Sequence, residues 1–320
     1  MISPDQTGLV DLAAAPETIG ASGAAGVVDA AERDGLAAAV AAGIEVRELS
    51  ELAELDQVYR LYNSIWRPDP KNPPVTTELL RALTKAGNYV GGAYDGDNLI
   101  GACVGFFGAP AEVTMHSHVA GVSGAARGRN VGFALKLHQR AWALQRGVTA
   151  ISWTFDPLIR RNAYFNLVKL AARPTEYLTN FYGFMADGIN NGDDSDRLLV
   201  RWQLDAPAVI EAAARTPPIG AIAFAAPLSS HLAEKLREAT VALGVADDGR
   251  PAAGTTSGET VLVAVPGDVE SLRGTDPAAA KEWRVALREV LGGLLADGAR
   301  VTGFDRAGWY VLELPANGVM

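Results

Sequence analysis

Residues 89–147 place three strand-like runs in succession and follow them directly with a glycine-marked turn and a helix, an order that few folds accommodate. Tyr89–Tyr94 and Leu99–Phe107 flank Asp95-Gly96-Asp97-Asn98, whose Asp-Gly step supplies the backbone freedom of a tight hairpin turn. Met115–Val122 is the next strand, and Gly132–Arg146 is a helix with Gly147 as its stop. Phe133, Leu137, Ala141 and Leu144 make one face of that helix, and Lys136 and Arg140 lie on another.

The flanks extend the pattern on both sides. Upstream, Ile44 and Val46 alternate with Glu45 and Arg47 as in a strand, and Leu52, Leu55, Val58, Tyr59 and Tyr62 follow at helical spacing. Thr76 and Thr77 then open a second helix that ends at Gly87. Downstream come a strand of Ile151, Trp153 and Phe155, a helix over 162–172, and strands at 176–184 and 198–204. The predicted order is β-α-α-β-β-β-α-β-α-β-β, an α/β (α+β) chain with a meander before a crossover helix.

At 320 residues the chain exceeds what one core usually serves, and three regions are expected. Residues 1–43 are rich in Ala and Gly, contain no aromatic residue, and read as a flexible leader with a helix near 30–42. Residues 44–205 form the main domain. Residues 206–320 form a smaller C-terminal α/β region: strands at 221–224 and 260–265, a loop at 240–258, a helix at 277–295 and a hairpin at 301–314.

The turn from Arg127 through Gly128, Arg129, Asn130 and Val131 to Gly132 joins a strand to a helix. Such a turn leaves several backbone N–H groups pointing at one spot, where the helix dipole favours an anion. The net charge is −9, so any polyanion must be held locally, and nucleic acid and acidic membrane surfaces are not expected partners. The competing reading is an ordinary surface turn with two solvated arginines. The single Cys103 excludes an internal disulfide and a thiolate-rich zinc cluster, and it fits a reducing, cytoplasmic setting. With Asp5 and Asp11 near the start, the N-terminus lacks the basic-then-apolar pattern of a secretory signal.

This element order, with the loop between fourth strand and third helix, resembles the GNAT superfamily of acyl-CoA-dependent N-acyltransferases. The family pattern is Arg or Gln, two residues, Gly, one residue, then Gly or Ala. Arg127 and Gly132 fill its outer positions, and Asn130 stands where the first Gly is expected; the shifted register Arg129, Gly132, Ala134 uses the same loop. Asn is the non-Gly residue best able to adopt positive φ. His116-Ser117-His118, Leu135-Lys136, Gln139-Arg140, the run from Trp153 to Leu158, Asn180-Phe181-Tyr182-Gly183 and the C-terminal Trp283-Arg284 look like a subgroup of mostly uncharacterised bacterial members. The resemblance implies a mixed, mostly antiparallel sheet whose fourth and fifth strands splay apart, flanked by helices. It also implies acetyl-CoA or another acyl-CoA as co-substrate, its pantetheine arm along Ala120, Gly121 and Val122 and its pyrophosphate on Arg127 to Gly132 with Phe133 and Ala134.

An amine must lose a proton before it attacks a thioester, and His is matched to that task. His116 and His118 lie two apart and share a face of the fourth strand, upstream of the pantetheine segment. A metal site is not expected, since His138 and His231 have no partner spacing; a structural role within the sheet is the alternative. Many members of the family protonate the leaving thiolate from a Tyr in the fourth helix. That place looks like Leu167, so Tyr164, one turn earlier, is the candidate, with Tyr177 and Tyr182 as alternatives. Asp156, ending the fifth strand, is a candidate for holding the substrate ammonium or else a turn former. Asp193, Asp194 and Asp196 read as a solvated loop, and Cys103 as core rather than nucleophile.

The expected function is transfer of an acyl group, acetyl first, from acyl-CoA to an amine of a small molecule by direct attack. The alternative is a catalytically weak acyl-CoA-binding sensor or scaffold. A homodimer is compatible with the extra C-terminal region.

Overall fold

The computed structural model describes residues 21–69, 73–183, 193–215 and 238–315. The expected strand at 221–224 and His231 lie outside these residues. Twelve strands form two sheets among the described residues.

The first sheet has the order β1 (Glu45–Glu48), β2 (Tyr89–Asp95), β3 (Asn98–Phe107), β4 (Thr114–Val122), β5 (Ala150–Phe155), β7 (Arg197–Gln203), β6 (Arg173–Leu178). Every neighbouring pair is antiparallel except β4 and β5. Alternation and the Asp-Gly turn anticipated the meander and the crossover helix, and the mixed, mostly antiparallel sheet is the one the family resemblance implied.

Helices α2 (Leu52–Trp66) and α3 (Thr77–Lys85) cover one face of β2–β4. Thr76 caps α3, its side chain accepting from the Leu79 N–H. Their apolar stripes, with Leu55, Val58, Tyr62 and Leu80 fully buried, meet Val90, Ala102 and Val104 in a small separate core. The opposite face carries α4 (Val131–Gln145).

Helix α1 (Ala21–Ala42) corrects the reading of residues 1–43 as a flexible leader: over 21–42 the chain is a helix packed along α4. Ala31, Ala38 and Ala39 are buried, and a Cβ added at Gly35 would stand 3.5 Å from the Leu137 backbone. Small residues supply little area each, but they let two helix backbones approach closely. Lys136 and Arg140, set apart from the apolar face, are both buried: Arg140 lies against α1, whereas Lys136 turns to the sheet. Arg140 donates to the Leu204 carbonyl at 2.9 Å and pairs with Asp34 of α1 at 3.4 Å.

After β5 come α5 (Arg160–Tyr164) and a π turn (Phe165–Lys169), where one helix over 162–172 was expected. Pro207 begins α6 (Pro207–Ala214) instead of only breaking the chain. The second sheet, ordered β11 (Arg300–Phe304), β12 (Trp309–Glu313), β10 (Thr260–Ala264), β8 (Thr240–Val245), β9 (Pro251–Ala253), places two strands inside the expected loop at 240–258. β8 pairs in parallel with β10, a non-local contact that local turn residues do not announce. Helices α7 (Val269–Thr275) and α8 (Pro277–Leu287) cover this sheet, and α8 continues through a π turn, Arg288–Gly292. Trp283 and Leu312 belong to the same apolar cluster as Trp153, Trp202 and Leu137, so the C-terminal region shares its core with the first sheet.

Candidate active site

β4 and β5 pair through only three rungs, Thr114 to Ala150, Met115 to Ile151 and His116 to Ser152. Beyond them β4 runs on to Val122 and β5 to Phe155 without pairing, so the strands open into a slot that starts at Ser117. The anion loop stands at the far end of the slot, where β4 hands over to α4.

In that loop Gly128 has φ +83° and Asn130 φ +62°. Asn130 therefore takes the left-handed conformation its side chain tolerates, and it precedes α4 as the cap residue. Among the described residues, no acceptor is found for the backbone N–H groups of Gly128, Asn130, Val131 and Gly132. The N–H groups of Phe133 and Ala134 both donate to the Asn130 carbonyl, and their side chains are buried in the core. Arg127 is exposed. Arg129 turns away to Asp95 at 2.6 Å and to the Ala42 carbonyl at 3.3 Å, tying the loop to the β2–β3 turn and to the end of α1. The turn therefore leaves four amides and Arg127 for an anion, and Arg129, Phe133 and Ala134 support it from behind. The Asn130 side chain accepts from Lys169 at 2.9 Å. Asn130→Ala is expected to cost about 1–2 kcal/mol in urea unfolding, because Ala has no compensation for positive φ, whereas Asn130→Gly is expected to be nearly neutral.

The slot walls include residues the sequence reading did not select. A Cβ on Gly132 would stand 3.8 Å from Val122 and 3.9 Å from Phe165 of the π turn. A Cβ on Gly121 would meet Trp66 at 2.6 Å and Ile65 at 2.9 Å, so the space beside Gly121 is filled by α2. Tyr62 donates to the Val119 carbonyl at 3.2 Å. Ala120 is exposed and Val122 half-buried.

His116 and His118 stand at the mouth of the slot on the face of α2 and α3. A bulge opposite Val104 and Gly105 leaves His118 without a register partner. Both rings nonetheless pack against Phe106, with centroids 5.3 and 5.9 Å away and 6.4 Å from each other. Burial lowers the pKa of His118 despite a hydrogen bond to the Pro74 backbone, and burial, His118 and Lys136 lower that of His116. Proline has no N–H, so the His118 ring donates to the Pro74 carbonyl and keeps its other nitrogen as an acceptor. Among the described residues, no group of three or more His, Cys, Asp or Glu side chains could hold a metal ion.

Beneath the slot, on the α4 face, lies a buried polar cluster that periodicity did not reveal. The Lys136 ammonium is 3.1 Å from Ser117 Oγ, 2.8 Å from Gln139 Oε1 and 3.7 Å from the Trp153 ring centroid. Burial lowers its pKa to about 8. Cys103 is buried beside Ser117, as expected of a core residue, and burial pushes its thiol up.

Two candidates are engaged elsewhere. Asp156 is buried, and its carboxylate accepts from Arg273 at 2.5 Å and from Arg284 at 2.8 and 2.9 Å. The two guanidiniums from the C-terminal region hold its pKa far below the usual carboxylate range against the opposing effect of burial. A substrate ammonium would find both oxygens taken. Asp193, Asp194 and Asp196 pair with Arg273, Arg284 and Arg288, so they form an inter-sheet network where a solvated loop was expected. The Tyr164 hydroxyl accepts from Arg306 Nε at 3.1 Å, Tyr177 donates to Asp196 at 2.8 Å, and Leu167 is buried.

Residues 55–165 match the family model described as Acetyltransferase (GNAT) family. This domain belongs to the GNAT family. The GNAT domain is also similar to solved structures of an N-acetyltransferase from Staphylococcus aureus, with 16% identity, 51% of this chain and 99% of that one covered, and a TM-score of 0.41. A ribosomal-protein-alanine N-acetyltransferase from Escherichia coli gives 12%, 51%, 95% and 0.41. A ribosomal-protein-alanine acetyltransferase from Vibrio fischeri gives 15%, 51%, 94% and 0.41. No curated protein sequence matches the chain. Among the described residues, no helix is long and apolar enough to cross a membrane.

Proposed function

We propose that the GNAT domain transfers an acyl group, acetyl first, from acyl-CoA to an amine of a small molecule by direct attack. The observation that carries this reading is the slot between β4 and β5, which opens at Ser117 and ends on the amides of Gly128, Asn130, Val131 and Gly132. Pyrophosphate suits those amides, and unpaired strand edges suit the amide groups of a pantetheine arm. Ser117 to Val122 spans about 17 Å of extended strand, comparable to that arm.

His118 takes the proton of the incoming ammonium on its free ring nitrogen, directly or through one water. The amine then attacks the thioester carbonyl carbon, the tetrahedral intermediate loses its second N–H proton to water and expels the thiolate, and CoA and the amide leave. A neutral His at pH 7 is ready to accept, and its lowered pKa supports that role. His116 stacks on Phe106 and positions the neighbouring ring.

Incubation with acetyl-CoA and a panel of small amines, following free thiol, tests the reading. Thiol release that depends on an amine is expected. Tight CoA binding by calorimetry without turnover on any amine would support a binding protein instead, and absence of CoA binding would remove both readings.

A further inference from the structure

In the GNAT domain the place expected to carry an acidic Tyr holds Leu167, Tyr177 donates its proton to Asp196, and the Tyr164 hydroxyl is drawn to the exposed Arg306 in the turn between β11 and β12. The thiolate still needs a proton. We infer that Ser117 is the group that delivers it, with Lys136 behind Ser117 as the proton source. This assignment rests on the acyltransferase reading above.

Three features of place support it. Ser117 is the first residue of β4 beyond the last rung to β5, so its side chain lies at the apex of the slot. It faces α4, the side that also carries α5 and the π turn with Leu167. The Lys136 N–H donates to Ser117 Oγ at 3.1 Å, and the hydroxyl keeps its own proton, with Cys103 Sγ 3.6 Å away as its resting neighbour.

The chemistry around Lys136 suits a transferable proton. A salt-bridged Lys would hold its proton too firmly; no carboxylate lies within ion-pair distance of Lys136 among the described residues. Its remaining partners are Gln139 Oε1 and the faces of Trp153 and Trp202, at 3.7 and 5.5 Å, which stabilise the cation without neutralising it. Its pKa of about 8 lies near that of a free thiol, so transfer to the thiolate is close to balanced. The titratable groups facing it are Cys103 on β3, whose thiol is pushed up, and His116 on β4, whose ring is pushed down. Lys136 is therefore the group that changes charge between them.

As the C–S bond of the tetrahedral intermediate breaks, the sulfur takes the Ser117 hydroxyl proton and Ser117 takes one from the Lys136 ammonium. Products are the amide, CoA thiol and neutral Lys136, which is reprotonated from solvent. The intermediate's nitrogen gives its second proton to water as the C–S bond breaks, and the one that His118 took leaves by the opposite face; with one proton taken back by Lys136, each turnover releases one net and charge balances.

The test is kcat against pH from 6 to 10 with acetyl-CoA and the best amine of the panel. Wild type is expected to lose rate above about pH 8, as Lys136 deprotonates. Lys136→Met and Ser117→Ala are expected to lower kcat about 100-fold at pH 7 and to remove that alkaline limb, with the KM for acetyl-CoA changed less than twofold. Ser117→Thr, which keeps a hydroxyl, is expected to recover most of the rate. Either variant retaining wild-type kcat and the alkaline limb while still binding CoA overturns the assignment and leaves the acyltransferase reading intact. A wild type that turns over no amine overturns both.

Discussion

Arg284→Ala is expected to destabilise the protein by about 3–5 kcal/mol, the largest single-site effect anticipated outside the apolar core. Arg284 is 1% exposed and bridges Asp156 and Asp193. Removing it leaves two carboxylates to share Arg273, with a large side chain's volume vacated between the sheets. Arg250, which pairs with Asp276 and Glu282 at the surface, is the control and should have a far smaller effect when replaced by Ala. The pH dependence follows from Asp156, whose folded pKa is depressed. Its contribution is fully present above the unfolded value of about 4 and fades only as pH falls from there towards the folded value. Unfolding in urea at pH 7 and at pH 3 measures both: the difference between wild type and Arg284→Ala should be large at pH 7 and smaller at pH 3. An equal difference at the two values would count against this account.

His118→Ala is expected to lower kcat/KM about 100- to 1000-fold without weakening acyl-CoA binding, because the ring handles the amine and lies away from the loop. For wild type the rate should rise with pH through an acid limb placed below 6.5, since burial lowers the His118 pKa and the base must be neutral. The variant should lose that limb. His116→Ala is expected to lower the rate less and to leave the limb in place, because the ring supports His118 through Phe106 while burial is what depresses the His118 pKa. Steady-state rates from pH 5 to 8 distinguish these outcomes. If His118→Ala keeps both rate and limb, the base lies elsewhere.

Much of the GNAT domain was legible in its residues. The Asp95-Gly96 hairpin, the Thr76 cap, the crossover from β4 to α4 and the left-handed Asn130 are each fixed by a few neighbouring side chains, so spacing and residue type announce them. His116 and His118 lie two apart and both meet Phe106, although the bulge leaves His118 without a register partner.

The misplaced residues have a different origin. Asp156 was read beside the turn it ends, but its partners, Arg273 and Arg284, lie more than a hundred residues away. Lys136 was read only as lying off the apolar face of α4, because helical periodicity reports which residues share a side without naming what covers it. Here α1 covers the outside of α4, and Lys136 turns inward to Ser117 and Trp153. β8 reads as loop because its strand character comes from pairing with β10.

The sequence by itself determined the order of elements from β1 to β7, the turn from β4 into α4 and the two histidines, since backbone preference and side-chain period act over a few residues. The tertiary structure decided which charged groups are spent on holding the sheets together and which are left facing the slot. That choice depends on long-range packing, where burial raises the cost of an unpaired charge and selects its partner.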